Sequence, residues 1–315
     1  MYKIIHEKIF DFLAYFCGQE MINCLIKNAD CGFIKEIFVL ERDNGVDQFI
    51  IIIPPKYHQM YIQRLVDDWS KGHVQCVFSN INMKISRFRQ NFLFQLKTLD
   101  ISYQRQLSQT YEKCNGIKNN GDTVLIKCCL TGDISFTQCC CKFDDEVNKC
   151  NNYNELPLKK AGEHGHVEIV KMLLDRGAEC NNVDPRTESP AMKTCENGHT
   201  EIVKMLFDKG ADCNIYSDCS PVMKAFMRGH IEIVEFLLDN RADCDDNGLS
   251  SILFVCEHGI TEMLQIMVDK GVGCNTCDRF DEYPLTYACI GGHTEIVQML
   301  SDKGADCNKC NGNGW

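Results

Sequence analysis

Residues 198–214 read GHTEIVKMLFDKGADCN, and nearly the same string stands at 165–181 (GHVEIVKMLLDRGAECN) and at 292–308 (GHTEIVQMLSDKGADCN). With the opening glycine of each block as a phase marker, the markers are Gly132, Gly165, Gly198, Gly229, Gly259 and Gly292, spaced 33, 33, 31, 30 and 33 residues apart. A period of this length marks an array of small units, each unable to bury its own apolar face and stable only against its neighbours. The phases show how one unit is built. Pro157, Pro190, Pro221 and Pro284 lie eight residues before their markers, where proline opens an inner helix without wasting a backbone donor. Four residues before the marker the side chain is compact, as close helix packing requires: Ala161, Thr194, Ala225, Val255 and Ala288. The marker glycine is placed to end that helix in a left-handed conformation.

After the marker comes an outer helix. Ile169/Val170, Ile202/Val203, Ile233/Val234, Met263/Leu264 and Ile296/Val297, followed three residues later by Leu173, Leu206, Leu237, Met267 and Leu300, form its apolar stripe. Glu168, Glu201, Glu232, Glu262 and Glu295 sit in its first turn, where a carboxylate complements the helix dipole. This pattern resembles the ankyrin-repeat family from about Leu156 to Asn308, in five consecutive units. Asn120 to Asn148 keeps Thr123, Gly132 and a Val147-Asn148 ending but lacks the proline, and is expected to be a degenerate first unit. The family's Thr-Pro-Leu-His histidine is replaced by Lys159, Met192, Met223, Leu253 and Thr286, which removes the ring whose hydrogen bonds the resemblance implies between repeats.

Twenty-two cysteines raise the question of disulfides or zinc. Cys180, Cys213, Cys244, Cys274 and Cys307 share one repeat phase, and Cys129, Cys195, Cys256 and Cys289 share another, so they are expected to replace small apolar residues as reduced packing groups. Equivalent positions on stacked helices lie about 8–10 Å apart, whereas a disulfide needs Cα atoms within about 7 Å. Cys139, Cys140 and Cys141 are adjacent, and Cys274 with Cys277 has no second pair at zinc-ligand spacing, so no metal site and no cofactor is expected.

Charge divides the chain. Residues 1–120 hold 15 Lys and Arg against 12 Asp and Glu, and residues 121–315 hold 18 against 32, giving +3 and −14 within the overall −11. The repeat half therefore repels phosphate, and nucleic acid is not expected as its partner. The longest apolar run, Phe49 to Ile53, stops at Pro54-Pro55, far short of the roughly 20 residues that span a bilayer. No signal-peptide pattern opens the chain, and a cytoplasmic location is expected.

The first 115 residues lack the repeat. Apolar spacing predicts helices over Ile5–Phe16 and Met21–Ile26 and a short one over Cys31–Ile37; Phe38–Leu40 and Phe49–Ile53 then flank Asp43-Asn44-Gly45, a hairpin signal. Three helices followed by a hairpin is the order of a winged-helix domain, so the expected fold is mainly α: an ankyrin-type solenoid preceded by a small winged-helix-like domain with one β-hairpin. The expected divisions are 1–115 for that domain, 116–150 for the degenerate repeat, 151–309 for five repeats and 310–315 for the truncated start of another. The last outer helix keeps Ile296, Val297 and Leu300, with Ser301 where Leu174 and Leu238 stand earlier, which is expected to leave its stacking surface partly open. The stretches FDFLAYF (10–16), INCLIKNADCGFI (22–34), PPKYHQMYIQRLVDDWSKG (54–72) and FRQNFLFQLKTLDISYQRQL (88–107) resemble the region between the nucleotide-binding module and the ankyrin array of mollusc STAND-type signalling proteins. No segment matches Gly-x-x-x-x-Gly-Lys-Ser/Thr, so that module's NTPase activity is not implied.

Chemistry-bearing residues are few once the repeat has claimed its share. His166, His199, His230 and His293 occupy one phase and are expected to be structural. His58 and His73 bracket Asp67, Asp68 and Trp69 without a nucleophile tied to them, and Lys84, Arg87 and Arg89 surround Phe88 in a small basic cluster. Recognition remains. Five residues before each marker, on the inner-helix face, stand Lys160, Lys193, Lys224, Phe254 and Tyr287, a basic stripe turning aromatic; the loop tips add Arg186, Tyr216, Arg279 and Phe280. These are the candidate partner-binding residues, and changing the three lysines to Glu is expected to leave the Tm nearly unchanged. The expected function is a non-enzymatic scaffold binding a protein partner in intracellular signalling or innate defence. The alternatives are a regulatory fragment or subunit of a STAND-type NTPase assembly, the subunit docking onto full-length relatives through its head, and a winged-helix DNA binder.

Overall fold

The computed structural model describes residues 18–39, 51–111, 120–143, 147–181, 188–212, 220–240, 245–246, 249–278 and 280–307, in two compact units, Met1–Tyr153 and Asn154–Trp315.

The first unit is built on an aromatic core. Its elements are α1 (Gly18–Asn28), α2 (Cys31–Ile37), β1 (Phe38–Val39), β2 (Ile51–Ile52), α3 (His58–Ser70), α4 (Val74–Phe78), α5 (Ser86–Thr98), α6 (Ile101–Ser108), α7 (Val124–Thr131) and α8 (Ile134–Phe143). Phe38, Tyr61, Trp69, Phe88, Phe92 and Phe136 are all buried and meet ring to ring, Phe88 stacking on Phe92 with centroids 5.9 Å apart. Buried polar atoms in this core are paired across long sequence separations. Asn80 and Asn82 donate to the Tyr61 hydroxyl at 2.8 and 3.0 Å, Asn82 also donates to Phe38 O at 2.6 Å, and Trp69 Nε1 donates to Leu107 O at 2.9 Å. Arg64 donates to Ile26 O, Lys27 O and Ala29 O, closing the C-terminal carbonyls of α1, while its Nε holds Asp68 at 2.8 Å.

The hairpin expectation is corrected here. Phe38 pairs with Ile51 and Val39 with Ile52 in parallel, so the two runs are not the arms of a tight turn. Asp43-Asn44-Gly45 is a local signal, whereas this pairing goes with non-local burial, Phe38 and Ile53 both sitting in the core. The turn itself, and the first predicted helix over residues 5–16, lie outside the described residues. The helices expected at α1 and α2 are present. In the expected degenerate repeat, Thr123 caps α7 by accepting from Ile126 N, and α7 and α8 pack as a helical pair.

The second unit repeats one inner and one outer helix five times: α9 (Pro157–Glu163) and α10 (Val167–Asp175), α11 (Pro190–Glu196) and α12 (Thr200–Asp208), α13 (Pro221–Met227) and α14 (Ile231–Asp239), α15 (Ser251–His258) and α16 (Thr261–Asp269), α17 (Pro284–Gly291) and α18 (Thr294–Asp302). Proline occupies the first turn of α9, α11, α13 and α17, and Ser189 and Ser220 cap their helices by accepting from Met192 N and Met223 N. Every residue of the compact phase, from Ala161 to Ala288, is completely buried, and so is nearly all of the outer-helix stripe. At the last repeat Cys289 is exposed, whereas its counterparts Cys195 and Cys256 are buried.

The marker glycines all sit at φ between 70° and 77°. The residue after the marker joins repeats: His199, His230 and His293 each donate from Nε2 to the carbonyl of Glu163, Glu196 and Glu257 in the preceding repeat, at 3.3, 3.0 and 2.9 Å. These inter-repeat bonds come from a histidine phase other than that of the Thr-Pro-Leu-His motif. These rings lie against the preceding marker, so that a Cβ on Gly198 would stand 2.5 Å from His230 Cε1. Gly229 has the same left-handed backbone but nothing within 4 Å, because Ile260 replaces the next histidine. Gly229→Ala is therefore expected to cost only the left-handed strain, about 1–2 kcal/mol, and Gly198→Ala distinctly more. Adding His230→Ala to Gly198→Ala should recover the excess. Urea unfolding of the full chain measures this, and equal losses in the two single variants would show that the ring does not set the repeat spacing.

Candidate functional site

The row five residues before the marker sits on the inner helices beside the fully buried compact row. Lys160, Lys193, Lys224, Phe254 and Tyr287 are all half-buried. The backbone of each helix is fixed by its stacked neighbours, so these side chains project along one face at repeat spacing.

The lysines do not form a bare basic stripe. Lys160 Nζ lies 2.8 Å from Glu155 and 3.1 Å from Glu163; Lys193 Nζ lies 2.8 Å from Glu188 and 2.7 Å from Glu196. Glu188 also binds Lys224 of the following repeat at 2.7 Å, and Glu196 binds Arg228 at 2.7 Å. Alternating charges thus stand on three repeats, a ladder in which the second and third are bridged by Glu188–Lys224 and Glu196–Arg228. Burial pulls the Lys160 ammonium down, but its hydrogen bonds to Glu155 and Glu163 outweigh this and leave it above the usual lysine range. Lys193 is raised against the same burial by Glu188 and Glu196. Hydrogen bonds from Lys193 and Arg228 hold the Glu196 carboxyl down at about 2.

These carboxylates were legible and were missed. Glu155 and Glu188 stand ten residues before their markers, and Glu163 and Glu196 two before, so the motif Glu-x4-Lys-x2-Glu recurs in phase. Reading the lysine row without its neighbours leaves out the carboxylates that a Glu substitution would face. A lysine held between two carboxylates cannot become Glu without setting like charges side by side.

Aromatic contacts take over in the last two repeats. Phe254 meets Phe226 edge to face at 5.9 Å and stacks on His258 at 3.9 Å. Tyr287 donates to Asp278 Oδ2 at 3.1 Å, and Asp278 Oδ1 accepts from Phe280 N and Glu282 N, so one buried carboxylate ties the inner helix to the loop tip. Burial and the Asp278 carboxylate push the Tyr287 hydroxyl up to about 12. Phe280, whose backbone is held this way, leaves 64 % of its surface exposed. The loop-tip candidates Arg186, Tyr216 and Arg279 lie outside the described residues.

Outside this row the candidate chemistry resolves into structure. Phe88 is core rather than part of a basic surface, and Arg89 is held by Met83 O at 3.0 Å and by Asp133 at 3.6 Å. Trp69 and Asp68 are buried, and His58 bonds to Ile53 O. Among the described residues no group of three His, Cys, Asp or Glu is arranged to hold a metal ion, and no helix is long and apolar enough to cross a membrane.

The comparisons with known proteins agree with this geometry. The family model described as "Ankyrin repeats (3 copies)" matches residues 97–184, 176–248 and 241–311. The chain belongs to the ankyrin-repeat family. Among solved structures, the human ASB11 ankyrin repeat domain is 24% identical, with a TM-score of 0.53 over 62% of this chain and 89% of that one. The ankyrin repeat domain of Bcl-3, a member of the IkappaB protein family, is 23% identical, with a TM-score of 0.58 over 62% of this chain and 92% of its own. A search of curated proteins finds no match.

Two measurements test the ladder. Changing Lys160, Lys193 and Lys224 together to Glu should lower the Tm by about 5 °C, and adding Glu188→Lys should recover most of that loss; no recovery would mean that the ladder carries no net energy. The second is acid titration. Because the folded pKa of Glu196 lies below the ordinary 4.5, its contribution is present above that pH and is lost as pH falls toward about 2. The Tm difference between the wild type and Glu196→Gln should accordingly be largest near neutrality and vanish by about pH 2, and a difference independent of pH would place the effect elsewhere.

Proposed function

We propose that the repeat unit is a non-enzymatic recognition surface for a protein partner, formed by the inner-helix row and the loop tips. The observation that carries this is the contrast between adjacent rows. The residues four before each marker are wholly buried by stacking, while those five before it remain half-buried on one face and change from Lys in three repeats to Phe and Tyr in the last two. Stacking consumes the first row and leaves the second to vary. Its first three repeats present charges already matched within the chain, and its last two present Phe254, Tyr287 and Phe280. Binding energy on such a surface concentrates on the aromatic end, because the lysines reach a partner only by giving up Glu155, Glu163 and Glu188.

The finer assignments rest on the sequence. They are a head over 1–115, a degenerate repeat over 116–150, five repeats over 151–309 and a partial one over 310–315, in a cytoplasmic signalling or defence protein of STAND-like type. The likeness of residues 5–150 to the linker region of STAND-type proteins supports a second reading, in which the head docks onto full-length relatives. The winged-helix DNA-binding alternative, which needs salt-dependent duplex binding by residues 1–115, loses support from the parallel pairing of Phe38–Val39 with Ile51–Ile52 and from the burial of Phe88.

Photo-crosslinking residues placed at 254 and 287, and at 172 and 205 on the outer helices, distinguish these readings. Cross-links to a partner are expected from 254 and 287, and Phe254→Ala with Tyr287→Ala should weaken binding about tenfold or more, equivalent to about 1.4 kcal/mol. Cross-links from the outer helices, or partner contacts confined to the Met1–Tyr153 unit, would overturn the repeat-face assignment; the second outcome favours the docking subunit.

A further inference from the structure

The described thiols differ in their surroundings. In the repeats Cys195 and Cys256 are buried, and burial pushes the Cys256 thiol up to about 12. Between α7 and α8, Cys128 and Cys140 approach to 4.0 Å but are buried, and burial raises the Cys128 thiol well above its ordinary value. Thiols of this kind are poor nucleophiles, since only the thiolate attacks. Cys31 and Cys76 differ. Their Sγ atoms lie 3.1 Å apart and both side chains are half-buried, in contact with each other and with solvent.

The approach is set by the core. Cys31 is the first residue of α2, directly after the capping Asp30, and Cys76 is in the middle of α4. The two helices pack together. Ile34, one turn beyond Cys31, is completely buried, and Val74 and Val77 on either side of Cys76 are too, so both helices are pinned with their sulfurs facing. A disulfide needs an S–S distance of about 2.05 Å, so closure moves the sulfurs by only about 1 Å.

We propose that Cys31 and Cys76 form a redox-modification site: a dithiol that closes to an intramolecular disulfide when it meets a small-molecule disulfide such as glutathione disulfide. One cysteine thiolate attacks a sulfur of glutathione disulfide, breaking its S–S bond and releasing one glutathione thiolate. The second cysteine, deprotonated in turn, attacks the protein sulfur of that mixed disulfide and releases the other. Two electrons pass from the cysteine pair to glutathione, and the two thiol protons end on the released glutathione thiols. The new bond ties the start of α2 to α4 and closes a ring over residues 32–75, which contains α3 with Tyr61 and Arg64. It therefore restrains the unfolded chain of the first unit.

The test uses the full chain in glutathione redox buffers at micromolar protein, with acid quenching, alkylation of the remaining thiols and peptide mass spectrometry. The expected result is a linked Cys31–Cys76 peptide as the main intramolecular product, with Cys128, Cys140, Cys195 and Cys256 still reduced. The oxidised protein should run as a monomer and show a Tm raised by about 5 °C. In Cys31→Ser, Cys76 should accumulate instead as a glutathione mixed disulfide, which identifies Cys31 as the resolving partner without requiring the double variant to fold. Two results would overturn the site: Cys31 and Cys76 both carried to separate glutathione adducts in the wild type, or both still reduced in a buffer that has already modified exposed Cys24 and Cys150.

Discussion

A histidine ring resting on a left-handed glycine of the neighbouring repeat is the contact that links successive repeats at three of the second unit's four junctions. The glycine terminates the inner helix and lacks a Cβ, and the histidine fills the space that a Cβ would take. Its Nε2 then reaches a carbonyl that the end of the inner helix has left without an intrahelical donor. One residue pair thereby ends a helix, satisfies a backbone acceptor and sets the distance to the next helix. With that distance fixed, the compact row fits between inner helices, and the Lys and Glu rows come within ion-pair range across repeats.

The repeat was legible because periodicity converts local identity into tertiary position. Once the markers are in phase, the burial of Ala161 or Leu237 follows without knowledge of any specific contact. The first unit has no such repeat, and its contacts were correspondingly hidden. Arg64 satisfies carbonyls more than thirty residues earlier in the chain, and Asn82 bonds Phe38 O across a similar gap. An amphipathic pattern located α1 and α2 but says nothing about which carbonyls Arg64 and Asn82 would have to satisfy. The hairpin failed for the same reason: Asp-Asn-Gly reports what a short segment prefers, and the burial of Phe38 and Ile53 reports where it is used.

The candidate surface shows a different limit. Lys160, Lys193 and Lys224 share one phase of the inner helices, yet the electrostatic character of the first two depends on residues five before and three after them. A lysine row read alone suggests an acidic partner. Read with its phase-matched glutamates it becomes a nearly neutral ladder, in which partially buried groups hold one another in their charged forms. The site's polarity is thus a property of the motif Glu-x4-Lys-x2-Glu rather than of any one phase.

The ladders are also interrupted, and at different junctions. On the outer helices Lys209 meets Asp175, Lys270 meets Asp239 and Lys303 meets Asp269, but Asn240 stands where a lysine would meet Asp208. The histidine bridge fails one junction later, where Ile260 leaves Gly229 uncovered. The second and third repeats therefore keep the bridge from His230, the pairing of Glu188 with Lys224 and an outer-helix pair of Lys204 with Glu232 at 2.9 Å, while Asn240 removes only the pairing at the helix ends. The third and fourth keep the outer pair and the Phe226–Phe254 contact while lacking the histidine. The apolar core continues through both junctions, from Cys195 to Ala305. Since burial of that core supplies most of the stacking energy, each junction tolerates the loss of one polar link. Losing the histidine and the outer ion pair at the same junction would leave apolar stacking, which has no directional preference of its own, to set the rotation between repeats.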